Sequence, residues 1–525
     1  MLERRADGWA TRFGLIMAMA GNAVGLGNFL RFPGKAAPFG GAFMIPYFIT
    51  LLLVGIPLMW MEWTIGRHGG GYNHGSTPGM FHRMWSHRIS KYLGIFGVLL
   101  PAMVGIYYIY IESWSLGYAW QTATGVYWGK TTNEEMGTVF NQYLGIGSGS
   151  LSFSMQAYLF FLVTFAVNVF VFSRGIEKGI EIVAKYCMPT LLILGLILAI
   201  RVLTLPPIEN RSVSDGLAQI WHVKDWSVLL KSDVWIAAAG QIFFTLSVGL
   251  GMVHTYASYL KKHEDITLSG LASSATNEFV EIILGSTIAI PAAVIFFGVT
   301  QTQQIAAGGT FSIGFFALPV IFQQMPGGQF FGTLWFVLLF LAGLTSSMAM
   351  FTPLLVFLED ELQLTRRRAV LYVCGATFLL MQPIILFMHH GLLDEIDYWM
   401  GEFGLVLFVA IETLIFTWVY GIDKGWKEMH LGADIQVPRI FYYIMKYITP
   451  LFTAGLVFWW CYDSLLDRIF MTNVEAASRP YLWVARLMIL SVATFLIWGV
   501  WYAWKTHPKF FEDVEEQVAE EEGAQ

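Results

Sequence analysis

Gly21-Asn22-Ala23-Val24-Gly25-Leu26-Gly27-Asn28 is the stretch that decides how this chain is read. It interrupts an apolar run, since Phe13 to Met19 suits a helix in lipid and the chain turns apolar again from Phe29. Three glycines and two asparagines lie between. A lipid-facing helix cannot leave backbone N–H and C=O groups unpaired, so a break here must be wrapped in protein or must hold a ligand. Gly21 and Gly25 also stand four apart, the spacing of close helix packing, and this stretch alone admits either reading. An echo decides between them. Val24-Gly25-Leu26-Gly27 returns as Val248-Gly249-Leu250-Gly251 inside the apolar run Trp235 to Tyr259. Glycine-interrupted spans at corresponding places in two halves of a chain point to the central site of a transporter.

Composition agrees. Of 525 residues 56% are hydrophobic and 13% charged, with a mean hydropathy of +0.58. A soluble domain carries roughly twice that charged fraction, so the chain belongs in a lipid bilayer. Much of the net charge of −6 comes from an acidic tail, 505–525, read as a solvated cytoplasmic end. Nothing in the charge pattern suggests nucleic-acid binding. Cys187, Cys374 and Cys461 lie far apart, which implies no disulfide framework.

Each crossing needs about 20 apolar residues. About twelve are expected, near 12–36, 41–66, 92–124, 157–173, 180–203, 233–260, 267–297, 329–360, 367–388, 397–420, 441–465 and 480–504. Lys and Arg mark the N-terminal segment 1–11 and every second loop, including Arg67, Arg83, Arg174, Lys261, Arg366 and Lys424, which predicts cytoplasmic termini. Of two long outer loops, Gly298–Gly328 mixes polar and apolar pieces and is expected to turn back toward the protein. His68, His74, His82 and His87 share a cytoplasmic loop, but their spacing matches no metal motif and predicts a solvated loop.

Polar groups at membrane depth are functional hypotheses by default. Val104, Tyr108 and Glu112 share a face of the third span by four-residue spacing. Thr245 and Ser247 lead into the second glycine break, Asn277 and Glu281 share a face of the seventh span, and Ala342, Thr345 and Ser346 one of the eighth. Any one of these is explicable as glue between helices, worth about 0.6 kcal/mol. Together, hydroxyls, amides and opened carbonyls are hard oxygen ligands suited to an alkali cation, with no thiolate or imidazole set for a transition metal.

These residues carry a family resemblance. Gly21–Pro33, GNAVGLGNFLRFP, resembles the first-span signature of the neurotransmitter:sodium symporter family. Ile109–Trp114 (IYIESW), Gly240–Ser247 (GQIFFTLS) and Ala342–Ser347 (AGLTSS) resemble its third, sixth and eighth spans. The match runs from about Trp9 through the twelfth span and is nearest to the family's bacterial leucine-transporting members. It implies an all-α membrane protein with two inverted five-helix repeats, 12–203 and 233–420, helices 1 and 6 unwound at mid-membrane, and two further helices in 441–504.

The resemblance also implies a site. One sodium ion would be held by Ala23 and Thr245, the side chains of Asn28 and Asn277, and the substrate carboxylate. A second would be held by the carbonyls of Gly21, Val24 and Ala342 with the hydroxyls of Thr345 and Ser346. The substrate carboxylate would meet the N–H groups of Leu26 and Gly27 and the Tyr108 hydroxyl, and its amine the carbonyls of Ala23, Phe244 and Thr245. Physics supports this arrangement, because a buried unpaired carboxylate is too costly without a cation and a helix N-terminus favours an anion. Val104, Tyr108, Phe244, Ser247, Leu250, Ser346 and Met350 would line an uncharged pocket. Leu250 replaces a Phe and Met350 an Ile of the leucine-transporting members, which reshapes the pocket. Gly25 stands where amine carriers of the family have an aspartate, so the expected substrate brings its own carboxylate.

Arg31 and Asp397 would form the outer gate, with Phe244 and Tyr108 as a lid. Asp360 would be the cytoplasmic gate acid beside Trp9, with Arg5 as its partner. Glu281 takes the place of a neutral Ser in chloride-dependent members and would substitute for the anion. The function expected is therefore sodium-coupled, chloride-independent import of a neutral hydrophobic L-amino acid across the cell membrane, with a homodimer kept open as the assembly. The rival reading is an amino-acid receptor that keeps the pocket without transport, against which the gate residues speak. No nucleophile–base pair suggests an enzyme, and no filter-like repeat suggests a channel.

Overall fold

A computed structural model describes residues 8–147, 151–472 and 474–507. Arg5 and the tail beyond residue 507 lie outside the described residues. Within them the chain is helical, without a strand beyond one isolated bridge between Ile208 and Arg211. That is what lipid demands, because a helix pairs its own backbone groups.

Ten helical stretches among the described residues are long and apolar enough to cross a membrane. The two others of the expected twelve are broken. The first span runs Arg12–Ala23 and resumes from Gly27 to Phe39, and the sixth runs Ser232–Thr245 and resumes at Met252–Ala257. Their corresponding positions are those read from the glycine echo. In the first break Val24 is extended (φ −74°, ψ 101°), which ends the helix. In the sixth, Ser247, Gly249 and Gly251 take positive φ of 54°, 75° and 72°. Glycine adopts that region freely, whereas Ser247 does so under strain.

The third span, Phe96–Thr124, and the eighth, Gly328–Asp360, are packed together and deeply buried. The fourth, fifth, ninth, eleventh and twelfth show a large apolar surface, with Leu379, Phe458 and Leu487 exposed. Such residues face lipid rather than a core. Wide helical turns occur at Gly27–Arg31 and Phe279–Gly285, which pack on each other beside the first break. A Cβ on Gly285 would stand 2.3 Å from the Asn28 carbonyl oxygen, so only glycine permits this approach.

The segment beyond the seventh span turns back as expected. Val299–Ala307 and Ser312–Gln324 meet at a bend of 119°, and the first of them packs along Phe32–Phe39 of the first span. The histidine-bearing loop differs from expectation. It is not solvated throughout: helix Thr77–Met84 folds against the second span and buries His74, whose Nδ1 stands 3.7 Å from Glu361.

Candidate functional site

The first break places its backbone against side chains from three other spans. Asn28 turns back to accept the Gly25 N–H (2.8 Å), while its amide donates to the Thr245 hydroxyl (3.1 Å) and to Asn277 (2.8 Å). Asn277 in turn donates to the same Thr245 hydroxyl at 3.0 Å. The Asn277 side-chain oxygen stands 3.2 Å from the Ala23 carbonyl oxygen and 3.3 Å from that of Thr245. Oxygens crowded this closely repel unless a cation or an N–H lies among them, and turning the amide over would supply the N–H. Ala23, Asn28, Thr245 and Asn277, expected together from the resemblance, thus stand together.

A second oxygen cluster lies where the first span crosses the eighth. The Ser346 hydroxyl is 3.3 Å from each of the carbonyl oxygens of Gly21, Asn22 and Val24. The Thr345 hydroxyl is 3.1 Å from the Ala342 carbonyl oxygen. The helices meet here because Gly21 has no side chain, and a Cβ there would come within 3.1 Å of Thr345 Cβ. Both clusters consist of neutral oxygens, the donor set suited to a hard alkali cation.

Between the breaks lies a small cavity of about 10 Å³, bordered by Gly25, Gly27, Tyr108, Phe244, Ser247, Leu250, Ser346 and Met350 among others. That is room for about one water molecule. The Tyr108 hydroxyl accepts the Leu26 N–H at 3.0 Å and points at Gly25, where a Cβ would be 2.8 Å from it. Leu26 therefore offers a backbone group and not a wall. Val104, expected in the lining, is buried but does not border this contracted cavity. Glu112 also turns away, bonding Asn168 of the fourth span at 3.4 Å. Asn22, not singled out as a site residue, borders the cavity with its amide unpartnered, and its carbonyl accepts from Ser247 at 3.0 Å. Its place inside the quoted stretch was the available signal.

Glu281 is fully buried behind Thr245, whose hydroxyl donates to it. Gln241 donates to the same carboxyl at 3.1 Å, and the Tyr47 hydroxyl lies 2.7 Å from both Glu281 and Glu278. One phenolic proton can serve only one of these carboxyls at a time. Thr245 thus joins the oxygen cluster to a buried acid.

The expected gate residues Arg31 and Asp397 are not paired in this structure. Arg31 lies over the Phe244 ring at 4.5 Å and stands 3.9 Å from Glu402, not against Asp397. Asp397 instead accepts from the Tyr107 hydroxyl at 2.5 Å. A cavity of about 360 Å³ lies above Arg31 and is bordered by Lys35, Glu402 and Trp460, which keeps the arginine partly solvated and its ion pair loose. The end of the bundle that carries Trp9 and Asp360 is tied down. Trp9 donates to the Tyr256 carbonyl at 3.0 Å, Arg12 bridges Asp265 (2.8 Å) and Asp434 (2.6 Å), and Asp360 accepts the Gly75 N–H at 2.8 Å. In the loop before the seventh span, burial alone would raise the Asp265 pKa. N–H groups of Asp434, Ser269 and Leu268 and the Thr267 hydroxyl outweigh it, so the carboxyl sits below its ordinary range.

The model of the Sodium:neurotransmitter symporter family matches residues 6–139 and 138–465. An uncharacterized sodium-dependent transporter of Methanocaldococcus jannaschii is 30% identical over 462 residues, covering 86% of this chain and 90% of its own length. One from Haemophilus influenzae is 28% identical, covering 86% and 97%. The sodium- and chloride-dependent glycine transporter 2 of Xenopus laevis is 24% identical, covering 85% of this chain and 63% of its own length. Among solved structures, MhsT in complex with L-phenylalanine superposes with a TM-score of 0.73 at 26% identity, covering 86% of this chain and 99% of that one. With two broken helices facing two oxygen clusters, and a family match spanning most of its length, the chain belongs to the sodium:neurotransmitter symporter family and is a multi-pass, sodium-dependent membrane transporter.

Proposed function

We propose that this protein carries a neutral, hydrophobic α-amino acid into the cell together with two sodium ions, by alternating access and without chloride. The observation that carries the reading is the chemistry around Gly25. The position supplies no carboxylate, while the Leu26 N–H and the Tyr108 hydroxyl converge beside it. A substrate that brings its own carboxylate completes this arrangement, and the neighbouring oxygens of Ala23, Asn28, Thr245 and Asn277 supply a sodium ion to balance it. The second ion would sit among Gly21, Val24, Ala342, Thr345 and Ser346, bracing the first span against the eighth. The substrate amine would meet the carbonyls of Ala23, Phe244 and Thr245, at half-helix ends that carry partial negative charge.

The apolar lining favours an uncharged side chain. Leu250 and Met350 are soft walls that rearrange readily, and L-phenylalanine in MhsT illustrates the size of substrate a relative holds. The contracted cavity must widen to take any amino acid, and Phe244 under Arg31 is the movable ring on its outer side. Glu281 would replace chloride as the fixed negative charge behind Thr245. Each sodium ion crossing inward gains about 2.3 kcal/mol per 100 mV of membrane potential, so two sustain steep accumulation. The cytoplasmic termini, the repeat boundaries 12–203 and 233–420, and the gate roles of Arg31, Asp397, Asp360 and Arg5 belong to the same proposal.

The test is a binding screen of the common amino acids on purified protein, in sodium and then in potassium at constant chloride. Binding of a hydrophobic amino acid in sodium alone supports the reading. Binding indifferent to the cation, or confined to amines without a carboxylate, overturns it.

A further inference from the structure

His254 lies in the inner half of the sixth span, three residues beyond Gly251. Its ring is fully buried between Glu62 of the second span and Glu412 of the tenth, both also at 0% exposure. Nδ1 faces Glu62 at 3.4 Å and Nε2 faces Glu412 at 3.3 Å. The other Glu62 oxygen accepts the Gly249 N–H, inside the sixth-span break. Apart from that bond and a contact between the Glu62 and Glu412 carboxyls themselves, neither ring nitrogen and neither carboxyl has a hydrogen-bond partner among the described residues.

Counting protons decides what this cluster needs. A neutral imidazole has one N–H and satisfies one carboxylate, leaving its bare nitrogen against the other. Two ionised carboxylates would then share a fully buried site without a cation, a costly arrangement. One added proton places a hydrogen on both histidine–glutamate lines and halves the net negative charge. A metal ion on one ring nitrogen would leave the other as an N–H for its carboxylate, so the chelator comparison below separates that occupant from a proton. Among the described residues the surroundings supply no substitute charge. The third span presents the Gly97 backbone, the second the Gly66 backbone against the His254 carbonyl, and the tenth the Phe408 ring. The ionised groups acting on the three residues are the three themselves, and the first and eighth spans, which also pack here, add none among the described residues.

We propose that Glu62, His254 and Glu412 form a proton-binding site whose proton is exchanged when the inner half of the sixth span moves, making the proton a coupled ion beside sodium. The binding half stands on the cluster alone, and the coupling half rests on the transport reading above. In the packed form the proton bridges the imidazole and a carboxylate. Moving Met252–Ala257 away from the second and tenth spans would part those lines, admit water and release the proton to it. Acid therefore favours the packed form.

Two measurements on the full-length protein in detergent separate the halves. The first is the thermal unfolding midpoint of wild type and His254→Gln from about pH 5 to about pH 8, the imidazole window. The wild-type midpoint should fall relative to the variant by about 2 °C or more as pH rises, because a proton held more tightly in the folded state stabilises below its folded pKa and is lost above it. Glu412→Gln should behave in the same way and stands in if His254→Gln does not fold. Parallel profiles overturn the site, and a difference abolished by a chelator makes it a metal site instead. The second is apparent sodium affinity over the same pH range, expected to change at least about fivefold in wild type and to be flat in the variant. Equal profiles here overturn the coupling. A wild type that binds no sodium defeats the transport reading, and the unfolding comparison then still judges the proton site.

Discussion

The two helix breaks do the same thing to the backbone by different means. The first is short, is turned by one extended residue, Val24, and is held by neutral amides and hydroxyls from Asn28, Tyr108 and Ser346. The second is longer, uses three residues of positive φ, and is flanked by acids, Glu281 behind Thr245 and Glu62 at Gly249. On the proposed reading the first break offers sodium mainly neutral oxygens, from which the ion can leave again. A hinge-like break tolerates charge nearby, provided that protons or partners balance it.

The difference is broken most severely at Gly251. A Cβ there would lie 1.9 Å from the Gly97 carbonyl oxygen, at a φ of +72°. Strain and overlap together cost about 4 kcal/mol or more, so Gly251→Ala should yield no monodisperse protein on size-exclusion chromatography. Gly25→Asp tests the first break instead. Its side chain would crowd Ser346 and Tyr108, 2.7 and 2.8 Å from the Cβ position, and bring a charge where the substrate carboxylate is proposed. Amino-acid binding should fall by about 100-fold or more in a scintillation proximity assay, while the protein still folds. Asn28→Ala removes the amide that joins the Gly25 N–H, Thr245 and Asn277. Sodium and substrate affinity should weaken together by about 10-fold to 100-fold, read by calorimetric titration. Glu281→Ser removes the acid behind Thr245, and binding should become chloride-dependent by about tenfold. The smallest effect belongs to Arg12→Ala, a half-exposed side chain paired with buried Asp265 and half-exposed Asp434, worth about 1 kcal/mol in unfolding measurements and less in high salt.

How far the sequence was readable follows from the same physics. Both breaks were legible because glycine inside an apolar run is a local signal with a physical cost, and its repetition excluded simple packing. Asn28, Thr245 and Asn277 came together through family motifs, since no spacing relates residues on the first, sixth and seventh spans. The acid beside Arg31 in this structure, Glu402, was not legible because Glu402 and Asp397 lie five residues apart on one helix, and the third-span Tyr107 engages Asp397 instead. The cluster of Glu62, His254 and Glu412 left no trace in the sequence, each being a lone polar residue in a separate apolar run. His74 was placed in solvent because its loop is polar, yet the helix after it folds back and covers it.

The bent outer hairpin offers a last consequence. Val299–Ala307 lies along Phe32–Phe39, and Gly314 fits against Leu30, where a Cβ would come within 2.0 Å. Trp335 of the eighth span also bonds the Gly314 carbonyl at 3.3 Å. The outer half of the first span cannot tilt without dragging this hairpin, which makes the hairpin an external handle on a buried lever. In the proposed orientation and mechanism, an antibody that clamps it to the eighth span would stall the carrier from outside, without touching the ions or the cargo.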